Sequence, residues 1–125
     1  MVDAWMTAST MWPGCMQNED QLLQAVILLG SHVEERNPLE NFRGVGVRVG
    51  DHVCPSPAEV PDLMRKWANK VLNTEITPEE VYKELLLIHP FVDGNGRVGK
   101  IVYNALRGTL NKPAMPPNFF NCANP

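Results

Sequence analysis

A chain of 125 residues fits one domain built on one hydrophobic core. Hydrophobic residues make up 44% and charged residues 20%, as in ordinary soluble globular proteins. The formal net charge of −3 argues against nucleic acid as a partner, and the longest apolar run, Ala25 to Leu29, is far too short to span a bilayer.

The N-terminus shows no basic stretch followed by an apolar one, so no signal peptide is expected. Residues 2–11 can form a short helix ended by Pro13-Gly14. Cys15, Cys54 and Cys122 are odd in number, far apart and without metal-ligand spacing, which reads as reduced thiols in a cytoplasmic protein. A clearer helix begins at Asn18, placed to cap the N–H of Gln21, and carries Leu22, Val26, Leu29 and Val33 on one face. Asn37-Pro38 predicts its end near Arg36. Val45, Val47 and Val49 then alternate with Gly46 and Arg48 at strand period, and Gly50-Asp51 supplies a turn before His52-Val53. Residues 44–54 are therefore expected to form a β-hairpin flap that leans on helices, because a lone hairpin is barely stable.

Ser56-Pro57-Ala58-Glu59 has the form of a capping box, predicting a helix from Pro57 to Leu72 with Val60, Leu63, Met64, Trp67 and Val71 inward. Thr77-Pro78-Glu79-Glu80 repeats the signal; its helix, with Val81, Leu85 and Ile88 inward, should stop at His89, since Pro90 follows. A last helix is expected from Gly96 to Leu110, followed by a tail rich in Pro, Asn and Phe. Four or five helices and one hairpin make the domain mainly α.

The chemistry concentrates in His89-Pro90-Phe91-Val92-Asp93-Gly94-Asn95-Gly96-Arg97-Val98-Gly99-Lys100. A histidine ends one helix, and a short loop with an acid and two glycines opens into the next. Such a loop lets backbone N–H groups converge, and the helix N-terminus adds its own N–H groups and positive dipole end. Arg97 can add a forked contact to phosphate. Asp93 would repel phosphate unless a cation sits between them, and Mg²⁺ is the simplest such cation. His89 has an ordinary pKa near neutrality and suits proton abstraction. Acid, base, anion cradle and cation together describe phosphoryl-type transfer.

This string resembles the signature of Fic domains, HPFx(D/E)GN(G/K)R, and matches it from His89 through Arg97. Phe42-Arg43-Gly44 and the valine-rich stretch after it are similar to the family's flap, and the likeness covers residues 20–115 of a single domain spanning 1–125. The resemblance implies a mainly α Fic fold, a helical bundle with a β-hairpin flap beside the active-site loop. It implies transfer of AMP from ATP, with Mg²⁺, onto a Ser, Thr or Tyr hydroxyl of a protein. His89 would be the general base, Asp93 the Mg²⁺ ligand, and Gly94, Asn95 and Gly96 the anion hole. Arg97 and Lys100 would contact the distal phosphates, Phe91 would pin the loop, and Val47, Arg48 and Val49 would dock an extended target segment by strand addition. The Pro-, Asn- and Phe-rich end is similar to that of small phage-encoded Fic-like proteins, which would place the protein in a host cytoplasm.

Two departures from the family pattern stand out. Lys100 occupies a position that is often arginine, losing the bidentate fork. Ser31 and Glu35 have the spacing of the family's inhibitory (S/T)xxxE(G/N) motif, but Arg36 follows and the segment lies just before the flap, so the spacing is read as coincidence. The protein is then unrestrained, or restrained by a separate inhibitory partner. Gly96, where the Doc-like branch has lysine, argues against a kinase reaction. Transfer of UMP, GMP or phosphocholine, a small-molecule acceptor, and a non-catalytic nucleotide- or protein-binding module stay open. His32 and His52 are read as surface histidines, Trp67 as packing, and Tyr103 and Asn104 as candidates to face adenosine.

Overall fold

The computed structural model describes residues 4–117. Helix α1 spans Ala4–Met11, and a 3₁₀ turn, Gly14–Gln17, leads into α2, Glu19–Val33. Strands β1, Arg48–Val49, and β2, His52–Val53, form the hairpin. Helices α3, Val60–Asn73, α4, Pro78–Ile88, and α5, Asn95–Arg107, complete the chain. The mainly α architecture with a hairpin is the one expected from the sequence. No helix among the described residues is long and apolar enough to cross a membrane.

The bundle is built around α2, α4 and α5. Helix α5 packs most extensively on α4 and also meets α2 and α1, while α3 lies against α2 and α4. Leu22, Val26 and Leu29 from α2, Met64 and Trp67 from α3, Val81 and Leu85 from α4, and Val98 and Ile101 from α5 are sealed in one core. The Trp67 indole N–H donates to the Val81 carbonyl at 3.1 Å, so the ring packs without stranding its polar atom. Cys15 and Cys54 are free and buried, and burial pushes the Cys15 thiol up to about 11, which suits inert packing thiols. Cys122 and most of the Pro-, Asn- and Phe-rich tail lie outside the described residues.

Both predicted caps of α2 and α4 form. Asn18 accepts from the Gln21 N–H at 2.9 Å and Thr77 from the Glu80 N–H at 3.2 Å. Three boundaries differ from expectation. Helix α2 stops at Val33 rather than near Arg36, because Glu34 turns extended, with φ −147° and ψ 118°, and the Asn37 side chain takes the Gly30 carbonyl at 2.9 Å. Helix α3 begins at Val60 rather than Pro57: Pro61 has no N–H to give the Pro57 carbonyl, which instead accepts from Val60 at 3.4 Å. The Glu59 side chain does reach back to the Ser56 N–H, at 3.2 Å, closing a separate turn. Helix α5 ends at Arg107, because Gly108 adopts φ 77° and the Thr109 N–H closes back on the Asn104 carbonyl.

The hairpin is shorter than its valine alternation suggests. Arg48 pairs with Val53 and Val49 with His52, around a turn in which Gly50 has φ 58°. Val47 continues the ladder only by accepting from the Cys54 N–H at 3.2 Å, and Val45 stands exposed. Glycines at 44 and 46 weaken strand formation there, and among the described residues no third strand is present to pair with it.

Candidate active site

The site forms where α4 ends and α5 begins. His89 terminates α4 in the left-handed conformation, φ 55° and ψ 62°, and is the one non-glycine residue of positive φ among those described. Pro90 disfavours a helical His89, and the left-handed turn carries a cost of about 1–3 kcal/mol that the surrounding contacts must offset. It aims the ring so that Nδ1 lies 3.0 Å from the Leu86 carbonyl. A carbonyl only accepts, so Nδ1 carries the proton and Nε2 keeps its lone pair. Burial, chiefly, lowers the His89 pKa, with the Arg43 and His52 charges adding to the effect; the Leu86 hydrogen bond and Asp93 act the other way. The ring is therefore neutral near physiological pH, and its basic nitrogen has no hydrogen-bond partner among the described residues.

Phe91 is fully buried and sits 6.0 Å from the Phe42 ring. It enters a notch on α2 that only glycine leaves open: a Cβ on Gly30 would lie 2.4 Å from Phe91 Cε1. Asn95 staples the loop to itself, accepting from the Phe91 N–H at 2.9 Å and donating to the Phe91 carbonyl at 3.0 Å. Asn37 clamps the loop from outside: its amide donates to the Asp93 carbonyl at 2.9 Å, and its oxygen accepts from the Val92 N–H at 3.0 Å. Both asparagines are buried. Their satisfied amides rigidify a loop that has no ladder of its own.

Gly94 has φ 80° and lies against Val33; a Cβ there would come 2.7 Å from Val33 Cγ1. Its N–H donates to Asp93 Oδ1 at 2.8 Å. The first intrahelical bond of α5 runs from Val98 to the Gly94 carbonyl, so the N–H groups of Asn95, Gly96 and Arg97 have no intrahelical acceptor. A helix end with open amides of this kind can receive an anion. Arg97 is exposed beside it and holds the Val33 carbonyl at 3.2 Å through one nitrogen. Lys100 follows one turn later, half-buried and without an ion-pair partner among the described residues.

Asp93 is half exposed, and Arg36 Nη2 lies 2.9 Å from its Oδ2. Arg36 also pairs with Glu34 at 3.1 Å and, as the main cause, holds that carboxyl down to about 2. No group of three His, Cys, Asp or Glu among the described residues could cage a metal. A lone carboxylate, half exposed and held by Gly94 on one oxygen and by Arg36 on the other, fits Mg²⁺ that takes its remaining ligands from phosphates and water once the Arg36 contact yields.

The structure thus brings His89, Asp93, Gly94, Asn95, Gly96, Arg97 and Lys100 to one helix–loop–helix junction. Arg48 and Val49 lie in the flap ladder and Val47 at its end. The flap touches the same junction through His52, whose Nε2 lies 3.2 Å from the Leu87 carbonyl, so His52 is half-buried rather than a plain surface residue. Tyr103 and Asn104 do not line the site. The Tyr103 hydroxyl donates to Glu79 at 3.0 Å, and Asn104 ties Thr109 and Ala114 to α5. Ser31 bonds the Leu28 carbonyl at 2.8 Å inside α2, and Glu35 is exposed in the loop after it. No site role was expected of Gly30, Arg36 or Asn37. Asn37-Pro38 signals a helix end, and the asparagine's second role becomes visible only when the loop folds back on it.

A model of the Fic/DOC family matches residues 17–106. The chain is 34% identical over 90 residues to the protein adenylyltransferase Fic of Drosophila grimshawi and 36% identical over 90 residues to that of Drosophila virilis. In both cases the match covers 65% of this chain and 18% of the relative, so the chain spans under a fifth of their length. A Fic family protein of Desulfovibrio desulfuricans superposes with a TM-score of 0.65 at 22% identity, over 83% of this chain and 33% of that one, a likeness of fold. With the signature loop seated between α4 and α5 and the family model matching most of its length, the chain belongs to the Fic/DOC family.

Proposed function

We propose that the protein transfers AMP from MgATP to a Ser, Thr or Tyr hydroxyl of a target protein. The observation that carries this reading is the His89 ring: its Nδ1 is committed to the Leu86 carbonyl, its Nε2 has no partner among the described residues, and its neutral form is favoured by burial. Such a nitrogen can accept a proton but has little use in binding alone. His89 Nε2 takes the proton of the target hydroxyl. The hydroxyl oxygen bonds to the α-phosphorus, the bond from that phosphorus to the bridging oxygen breaks, and pyrophosphate leaves. The amides of Asn95, Gly96 and Arg97 stabilise the charge on the phosphates, aided by Arg97 and Lys100. Asp93 would hold Mg²⁺, which supplies charge neutralisation along the phosphates when bound. The relatives' name, protein adenylyltransferase, supports the same transfer.

The flap supports an extended target. Behind it, Gly46, Val47, Arg48, Val53, Pro57 and Glu59 line an open depression of about 760 Å³. A strand added to the hairpin edge could place side chains there. The test is incubation with labelled ATP, GTP, UTP and CTP plus a cell lysate, followed by mass spectrometry of any labelled product. A gain of AMP on a protein hydroxyl is expected. A gain of phosphate alone would mean that the γ-phosphate faces His89. No covalent product with any nucleotide would favour a binding module.

A further inference from the structure

Arg43 is 2% exposed, and its guanidinium has no carboxylate partner among the described residues. Burying an ion commonly costs several kcal/mol even after relaxation. Here the compensation comes from carbonyls. Nε donates to the His89 carbonyl, Nη2 to the carbonyls of Ile88 at 3.2 Å and Pro55 at 2.7 Å, and Nη1 to the Val45 carbonyl at 2.8 Å. The Arg43 backbone N–H donates to the Pro90 carbonyl at 2.9 Å. The Ile88 and His89 carbonyls belong to the open C-terminal end of α4, where a cation meets the negative end of the dipole. Val45 and Pro55 stand on either side of the hairpin, one on each root.

We propose that Arg43 is a positioning residue that ties both roots of the flap to the backbone of the general base, so that a docked hydroxyl and His89 Nε2 share one rigid frame. The proposal rests on the transfer reading above. A neutral residue could cap one or two carbonyls at the end of α4. Only a forked, fully charged group can hold four carbonyls from both flap roots and the catalytic turn at once. The geometry makes His89 depend on this hold, because its left-handed backbone is strained and the carbonyls of Ile88, His89 and Pro90 all accept from Arg43. The cation also disfavours protonation of the ring, together with His52 and against Asp93. Cys54 is the other titratable group facing Arg43, and burial keeps its thiol raised.

Two variants of the full chain separate this role from simple capping: Arg43→Lys keeps the charge without the fork, and Arg43→Gln keeps donors without the charge. Each is first checked by circular dichroism for folding below its melting temperature. Histidine-labelled protein then reports the His89 tautomer by nitrogen NMR, with His89→Gln to assign the signal, and amide exchange reports the hairpin. Wild type is expected to show the Nδ1–H form of His89 and protected amides at Val49 and Cys54, the ladder donors that this register sets. Both variants are expected to lose the single tautomer and to exchange those amides at least about tenfold faster, with ATP affinity within about twofold and turnover down at least about tenfold. Lowered melting temperature with tautomer, flap protection and turnover unchanged would overturn the proposal. Loss of tautomer and flap protection in the variants, in a wild type that transfers nothing, would uphold the tie and sink the transfer reading alone.

Discussion

The Leu86 carbonyl fixes the proton on His89 Nδ1 and leaves the Nε2 lone pair available, so the proposed base is set by backbone rather than by an acidic partner. His89→Ala should therefore cut AMP transfer by about 10²–10⁴-fold. ATP affinity, measured by calorimetry, should hold, because in the proposed transfer the ring acts on the acceptor hydroxyl and not on the phosphates; an equal loss of both would remove His89 from the base role. The pH dependence follows from the direction of its shift. A lowered pKa keeps the ring neutral below the ordinary histidine value of 6.5, so the acid limb of turnover should fall at a pH under that value. An acid limb above it would mean that burial does not dominate the site. Asp93 gives the second prediction at this scale. Its carboxylate already carries Arg36, so MgATP must displace or share that contact. Asp93→Ala should weaken ATP binding in the presence of Mg²⁺ and leave binding without Mg²⁺ nearly unchanged, read by paired titrations. An unchanged Mg²⁺ requirement would remove Asp93 from the metal role. The signature string made these residues legible one by one. Arg43 and Asn37 were not legible in the same way, since each acts through carbonyls and amides of segments about 50 residues away, which no local spacing records.

At the scale of elements, two helices hold the loop by letting it approach their backbones. Gly30 sits within α2, where glycine ordinarily costs about 1 kcal/mol relative to alanine. The Phe91 ring occupies the space of its missing side chain: Cε1, Cζ and Cδ1 all lie 2.4–2.8 Å from where a Cβ would stand. Steric overlap should win over helix propensity. Gly30→Ala is expected to destabilise the fold by about 1–3 kcal/mol in urea denaturation and to weaken ATP binding by shifting the loop. Gly14→Ala, where nothing lies within 4 Å of the added methyl, serves as the neutral control. Stabilisation by Gly30→Ala would mean that Phe91 is not seated in α2. Helix existence and the Asn18 and Thr77 caps were readable because periodicity and capping are local. The start of α3 was not, because the Ser56–Glu59 pattern forms its turn while Pro61, two residues later, prevents that turn from joining the helix. The hairpin was over-read for a related reason: alternation at Val45 and Val47 is a strand pattern, but pairing needs a partner strand, and Arg43 takes the Val45 carbonyl instead.

Across the whole molecule, α1 lies outside the stretch matched by the family model, residues 17–106, yet it belongs to the same core. Ala8 is fully buried, and Ala4, Trp5, Met11 and Trp12 pack against the central cluster, with α1 seated on both α2 and α5. Those two helices frame the active-site loop: α2 supplies the Gly30 notch and α5 the open amides. Removing the cover would expose apolar faces of both. A fully buried large apolar side chain contributes about 1.5–3 kcal/mol, and these are only partly buried, so the loss should be about 3–6 kcal/mol. Domains of this kind have only about 5–15 kcal/mol in total. Deleting residues 1–13 should therefore lower the melting temperature by about 10–25 °C, followed by circular dichroism, and broaden the transition. ATP affinity should fall in step with the folded fraction, and saturating MgATP should restore part of the lost melting temperature, since a ligand that binds only the folded state stabilises it by mass action. A deletion variant that melts like the full chain would show that α1 rests on the core without being part of it. The site would then be framed by α2, α4 and α5 alone.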